Sequence, residues 1–154
     1  MTYAVIRVRG TVNVKKDITD NLRMLRLEHT NHCVLIPDTP QFKGMLQKGK
    51  DYITWGEIKP ELVSELIKAR CKIEGGEMIS DAFLKKNTDF KNITELSKAI
   101  SEGKMTLAKL PKVNPVLRLS PPRKGWGSIK RHFPVGGALG YRGEDINDLI
   151  RRMI

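Results

Sequence analysis

Between Lys104 and Gly143 the sequence contains no aspartate and no glutamate, although nine lysines and arginines fall within those forty residues. Such a strip cannot balance its own charge, so it must lie against something negative. Nucleic-acid phosphate fits, because each neutralised phosphate releases counterions and favours association. An anionic membrane surface would also attract it, but the strip lacks the amphipathic helical pattern of interfacial anchors. Other shortages narrow the field. No apolar run approaches the ~20 residues needed to cross a bilayer. Only two cysteines occur, Cys33 and Cys71, each amid apolar residues. With no secretory signal, the expectation is two reduced, buried thiols and not a disulfide. The N-terminus enters strand-like sequence directly, which points to a cytosolic protein. Hydrophobic residues make up 40% and aromatic residues 6%, so a core exists but does not use every residue.

What is present is a 154-residue chain with a net charge of +11, the size of one domain with room for a small appendage. The charge is unevenly placed. Residues 1–103 carry 17 basic and 14 acidic side chains, whereas residues 104–154 carry 11 and 3. The basic strip also holds five of the eight prolines and six of the thirteen glycines. The first two-thirds reads as an ordinary folded surface; the last third does not.

Tyr3-Ala-Val-Ile-Arg-Val-Arg9 alternates loosely and is rich in β-branched residues, which predicts a strand ending at Gly10. After a basic loop, Asp17 or Thr19 caps a helix with Ile18, Leu22 and Leu25 at i, i+4, i+7. Cys33–Ile36 reads as a second strand stopped by Pro37. Asp38-Thr39-Pro40 is a helix start, a capping oxygen followed by proline at the first helical position, and that helix stops near Gly49. Tyr52–Trp55 is a third strand closed by Gly56. The order βαβαβ, in short elements, is best satisfied by two helices on one face of a small sheet. Pro60 opens a further helix with Leu62, Val63, Leu66 and Ile67 on one face, and residues 71–91 give no clear pattern. Asn92 and Glu95 resemble a capping box for a helix over Ile93–Glu102. Pro115–Leu119 reads as a strand, Ser120–Gly143 as extended loop, and the last eleven residues as an amphipathic helix. Its apolar face is Ile146, Leu149, Ile150 and Met153, with Asp148 spaced to pair with Arg152.

Motifs for catalysis or metal binding fall short. Gly44–Asp51 nearly matches a phosphate loop, but Asp51 replaces the magnesium-binding hydroxyl and the segment follows a helix. Gly49 as a helix C-cap is the better account. His29, His32 and Cys33 offer three metal ligands, yet only the lone Cys71 is available to complete a tetrahedral site. His132 has no nucleophile or acid beside it, and no triad-like grouping occurs. The expectation is therefore no metal, no cofactor and no small-molecule substrate. The basic strip has a pattern of its own. Arg118, Arg123, Lys124, Lys130, Arg131 and Arg142 interleave with Trp126, His132, Phe133 and Tyr141. Cations suit phosphate contacts and planar side chains can stack on unpaired bases. Glycines let the backbone approach a phosphodiester without a Cβ clash. Packing onto the chain's own domain is the favoured role for Phe133; for Trp126, stacking and packing both stay open.

Tyr3–Ile58, with Arg7-Val-Arg-Gly10, Leu22-x-x-Leu25-x-Leu27, Asp38-Thr-Pro40 and Gly44-Met45 in that order, resembles the L thirty family of large-subunit ribosomal proteins. The run His132-Phe-Pro-Val-Gly-Gly-Ala-Leu-Gly-Tyr-Arg-Gly-Glu-Asp-Ile-Asn-Asp-Leu-Ile-Arg-Arg-Met153 resembles the tail of the archaeal form and of its eukaryotic counterpart, L seven. Bacterial members would end near residue 58. The resemblance implies a three-stranded antiparallel sheet with two helices, related to the ferredoxin-like fold. It also implies a structural, non-catalytic protein bound to ribosomal RNA. Lys15 and Lys16 fall where the family's loop after strand one is basic, with Asp17 a departure beside them.

The expected architecture is thus α+β: a core over residues 1–58, a helical segment over 59–103, and a basic extension over 104–154 ending in a helix. The expected function is a constituent of the large ribosomal subunit, cytoplasmic, supporting assembly and translation. It would bind ribosomal RNA through two basic surfaces, with neighbouring ribosomal proteins as further partners. The core would contribute Arg7, Arg9, Lys15, Lys16, Arg23 and Arg26. The extension would contribute Arg118, Arg123, Lys124, Trp126, Lys130, Arg131, His132, Tyr141 and Arg142. The rival expectation is an RNA-binding regulator or chaperone on the same fold, acting off the ribosome.

Overall fold

A computed structural model describes residues 1–154. Its centre is a β-sheet whose first three strands are β1 (Thr2–Arg7), β2 (His32–Pro37) and β3 (Ile53–Glu57). β1 lies between the other two and pairs antiparallel with both, Ala4 opposite Leu35 on one side and Gly56 on the other. Side chains alternate between faces along each strand, and the sequence supplies apolar residues to both. Tyr3, Val5, Val34, Ile36, Ile53 and Trp55 meet Leu22, Leu25, Leu27 and Leu46 from helices α1 (Lys16–Met24) and α2 (Pro40–Gly49) and the turn after α1. Ala4, Ile6, Cys33 and Leu35 point the other way. A two-layer core would leave that second set in water.

The rest of the chain covers it. Helices α3 (Pro60–Arg70), α4 (Asp81–Asn87), α5 (Ile93–Ser101) and α6 (Ile146–Arg151) place Leu62, Leu66, Leu84, Leu96, Ile100, Leu149 and Ile150 on the second face, all buried. The Thr2 hydroxyl donates to the Ile100 carbonyl, tying α5 to the start of β1. Buried Asn147 accepts from the Lys59 backbone N–H at 2.9 Å and donates to the carbonyls of Glu57 and Glu144, fixing α6 beside β3. Both cysteines are free and buried, and burial pushes the Cys33 thiol up to about 12 and Cys71 to about 11.

The fold is α+β with the expected βαβαβ core, but the sheet has six strands, not three. Their order is β4-β2-β1-β3-β6-β5. β4 (Leu117–Arg118) adds to β2, while β6 (Gly137–Tyr141) adds parallel to β3 and carries β5 (Ser128–His132) outside it. Ser120–Gly143, expected as loop, therefore supplies two strands. The periodic signal is missing because β5 is exposed on both faces, and Gly137, Ala138 and Gly140 of β6 are too small to register as core. Their smallness is what admits the strand: a Cβ at Gly137 would lie 1.9 Å from the Arg131 carbonyl oxygen. Gly56, expected to close β3, instead sits inside it, where a Cβ would fall 2.0 Å from the Gly143 carbonyl oxygen.

Several caps differ in detail. Thr39 accepts from the Phe42 N–H as expected, but α1 begins at Lys16 with no side-chain cap. At α5 the Asn92 side chain caps nothing. Glu95 accepts from Lys91 N–H, and Asp81 of α4 accepts from Ile93 N–H, a long-range partner no local pattern reveals. Asp148 and Arg152 do not pair; Arg152 turns to the Arg123 carbonyl instead.

Candidate nucleic-acid interface

The fifteen residues expected at an RNA surface divide by what their side chains already hold. Arg7 is 2% exposed, and its guanidinium donates to the carbonyls of Arg9, Gly10, Leu27 and Glu28 at 2.7–3.0 Å. Arg142 is 9% exposed, donates to Thr54 Oγ1 and the Ala138 carbonyl, and stacks over Phe133 with 4.7 Å to the ring centroid. Burial lowers the pKa of both guanidiniums. These two arginines are fasteners: Arg7 binds the turn before β2 to β1, and Arg142 locks β6 against β3. Both are buried and turned into the fold, away from the outward-facing cations of the expected RNA surface. Phe133 lies beneath Arg142.

The remaining cations are presented outward. Lys15, Lys16, Arg23, Arg26, Arg118, Arg123, Lys124, Lys130 and Arg131 are exposed, and Arg9 is half-buried over the Tyr52 ring at 5.1 Å. Topology gathers many of them. The end of β1 marked by Arg7 lies beside the starts of β2 and β3, with Arg118 opposite His32. Leu119 N–H bonds to Asn31, and Trp126 packs against Val8, Ala138 and Leu139. Between them the chain crosses from one edge of the sheet to the other around this end, carrying Arg123 and Lys124. Lys130 and Arg131 follow on the outermost strand. Trp126 is half-buried against two apolar clusters, so its indole pins the crossing to its own domain. His132 Nε2 lies 3.1 Å from Asp51 Oδ1, which accepts from it when that nitrogen carries the proton, and the ring closes over Gly140.

The opposite end of the sheet is different. Only three of the chain's lysines and arginines form ion pairs, and all three are there: Lys43 with Asp38, Lys59 with Glu144, and Lys104 with Glu102, at 2.8, 3.2 and 2.6 Å. Tyr141 lies at that end as well. It is half exposed, and its hydroxyl donates to Glu57 at 2.5 Å, which pushes its pKa up to about 12. It is thus separated from the cations with which the sequence grouped it.

Comparison with known proteins bears on what such a surface serves. The family model for ribosomal protein L30p/L7e matches residues 3–53. The large ribosomal subunit protein uL30 of Methanobrevibacter smithii is 51% identical over 152 residues, spanning 99% of both chains. This chain belongs to the L30p/L7e family. The uL30 proteins of Archaeoglobus fulgidus and Methanopyrus kandleri are each 48% identical, over 98% and 96% of this chain and 99% and 100% of theirs. The family model stops near the end of the βαβαβ core, whereas the uL30 relatives match through the extension, as the two-block resemblance anticipates.

One group of cations escaped the sequence reading. Arg70 is the last residue of α3 and Lys72 lies just beyond it, and both line a groove of about 710 Å³ beside Arg118. Arg70 also donates to Ser120 Oγ and the Ile154 carbonyl. The only local signal was two cations either side of a buried Cys71.

Proposed function

We propose that this protein is a structural, non-catalytic constituent of the large ribosomal subunit, located on cytoplasmic ribosomes, that holds ribosomal RNA through the Arg7 end of its sheet. The observation that carries this reading is the segregation of charge. The cations around that end have no carboxylate partners, whereas every lysine that has one lies at the other end. Unpartnered cations on a rigid scaffold keep their full attraction for phosphate, and their counterions are released on binding. Contacts of this kind orient and grip without reading sequence. The exposed contact set is Arg9, Lys15, Lys16, Arg23, Arg26, Arg118, Arg123, Lys124, Lys130 and Arg131. Tyr141, beside Glu57 and the paired lysines, faces away from it and is free to meet a neighbouring protein.

The test replaces Arg123, Lys124, Lys130 and Arg131 with glutamine and measures binding to large-subunit ribosomal RNA across a salt series. Each lost phosphate contact should flatten the slope of log K against log salt by about 0.9 on duplex and about 0.7 on single strands. The expected change is roughly three in slope. Substitution is preferable to deleting Ser120–Arg142, because deletion would strip β5 and β6 from the sheet. An unchanged slope in a folded variant defeats the reading.

A further inference from the structure

The residues Asn114–Arg118 form a ridge with a groove on either side. On one side lies the 710 Å³ groove, walled by Arg70, Lys72 and the turn at Gly75–Gly76. On the other lies a groove of about 320 Å³, walled by Arg26, Glu28 and His32. Asn114, Pro115, Val116 and Arg118 line both. Neither groove resembles a small-molecule pocket, which would be mostly apolar with a few polar groups. Arg26, Arg70 and Lys72 face the ridge and Arg118 lies on it, against two carboxylates, Glu28 and Glu74, and none of the six forms an ion pair within the chain.

The backbone is arranged to present these groups. Arg26 holds φ at 61°, in the left-handed region that a branched or long side chain rarely adopts, and its N–H bonds to the Arg23 carbonyl. A conformation of that kind is strained and persists where the surroundings enforce it. Here it turns the chain out of α1 and sets Arg26 on the groove wall across from Arg118. Asn114 N–H is taken by the Lys72 carbonyl and Val116 N–H by the Asn114 side chain, so the ridge is fixed from within.

From this we infer that the β4 ridge is a second seat for RNA, a strand crossing it with phosphates in both grooves and Arg118 shared between them. The inference rests on the ribosomal RNA reading above and divides its contact set in two, with Arg26 and Arg118 assigned to the ridge and Lys72 added to them. β4 and β5 are the outermost of six strands. At about 4.8 Å per strand spacing, their axes lie roughly 24 Å apart. The seat at Lys130 and Arg131 and the seat at the ridge therefore grip different RNA segments, and the sheet between them acts as a fixed spacer.

Hydroxyl-radical footprinting of full-length large-subunit ribosomal RNA, with the whole chain bound, tests this. The variant is Arg26→Gln, Lys72→Gln, Arg118→Gln. All three residues are exposed and hold nothing else in the fold, whereas Arg70 is spared because it secures Ser120 and Ile154. The unaltered chain should protect two RNA segments. The triple variant should lose protection of one and keep the other, with a salt slope flatter by about two to three. A companion variant, Lys130→Gln with Arg131→Gln, should lose the complementary segment. If both variants weaken the same protections, or the ridge variant weakens none, the second seat does not exist. If the unaltered chain protects no ribosomal RNA, the ribosomal RNA reading and this inference fall together.

Discussion

The two ends of one sheet carry similar cations in opposite condition. At the Met1 end, lysines from α2, the β3–α3 turn and the α5 terminus find carboxylates within 2.6–3.2 Å. At the Arg7 end, arginines and lysines from β1, β4, β5 and the crossing segment have none, and the only carboxylate pair there goes to His132. The difference lies in the acidic residues: Asp38, Glu102 and Glu144 cluster where the strip stops or has not begun. Net charge alone does not make a binding surface. What matters is where a chain leaves its cations uncompensated.

The comparison breaks most completely if the joint at the paired end is forced apart. Gly56→Ala puts a methyl against the Gly143 carbonyl, with the Ile146 Cβ close by and backbone that cannot swing aside. Loss of roughly 3–5 kcal/mol of stability is expected in denaturant titration. A variant as stable as the parent would mean that β3 and the turn after β6 are not in contact. Next in size, Arg142→Met keeps the stem but leaves Thr54 and the Ala138 carbonyl short of a donor. About 2–4 kcal/mol should be lost, with RNA affinity of the folded fraction and its salt slope preserved. A flatter slope would return Arg142 to the binding surface. The smallest effect sharpens the contrast between ends. Lys43→Gln, Lys59→Gln and Lys104→Gln together remove as many charges as a binding variant would, yet exposed pairs contribute little. Thermal midpoint and salt slope should both match the parent, and a flatter slope would show that the paired end also touches RNA.

Much of this was legible from short-range pattern. Leu22 and Leu25, the Thr39-Pro40 cap, and the Leu62–Ile67 face all follow from spacing and local chemistry, and the structure keeps them. The strands of the extension were not legible. β5 has no buried face, and β6 packs through glycine and alanine, so neither alternates in hydrophobicity. The site was read as a stretch of chain, and there the sequence misleads in a specific way. An arginine's letter does not say whether its guanidinium meets solvent or carbonyls. Arg7 and Arg131 look alike in sequence, but Arg7 is enclosed by four carbonyls because the β1–β2 connection folds over it. Tyr141, the last residue of β6, points toward Glu57, whereas Arg142 next to it reaches back to Thr54 and Ala138.

The strand order also carries a message about timing. Both edges of the first three-stranded sheet, and its second face, are sealed by residues from the second half of the chain: Thr2 by Ile100, Cys33 by Leu117, Thr54 by Gly140, Lys59 by Asn147. Contacts between residues so far apart in sequence form slowly, because long loops must close before any gain is made. On a translating ribosome the β3 edge, and the part of the apolar face that α6 covers, would stay open until β6 and α6 emerge. Such edges invite pairing with other chains. A nascent chain is thus exposed while the segment after β4 is still unmade, and the stretch from β5 to α6 closes that side of the sheet.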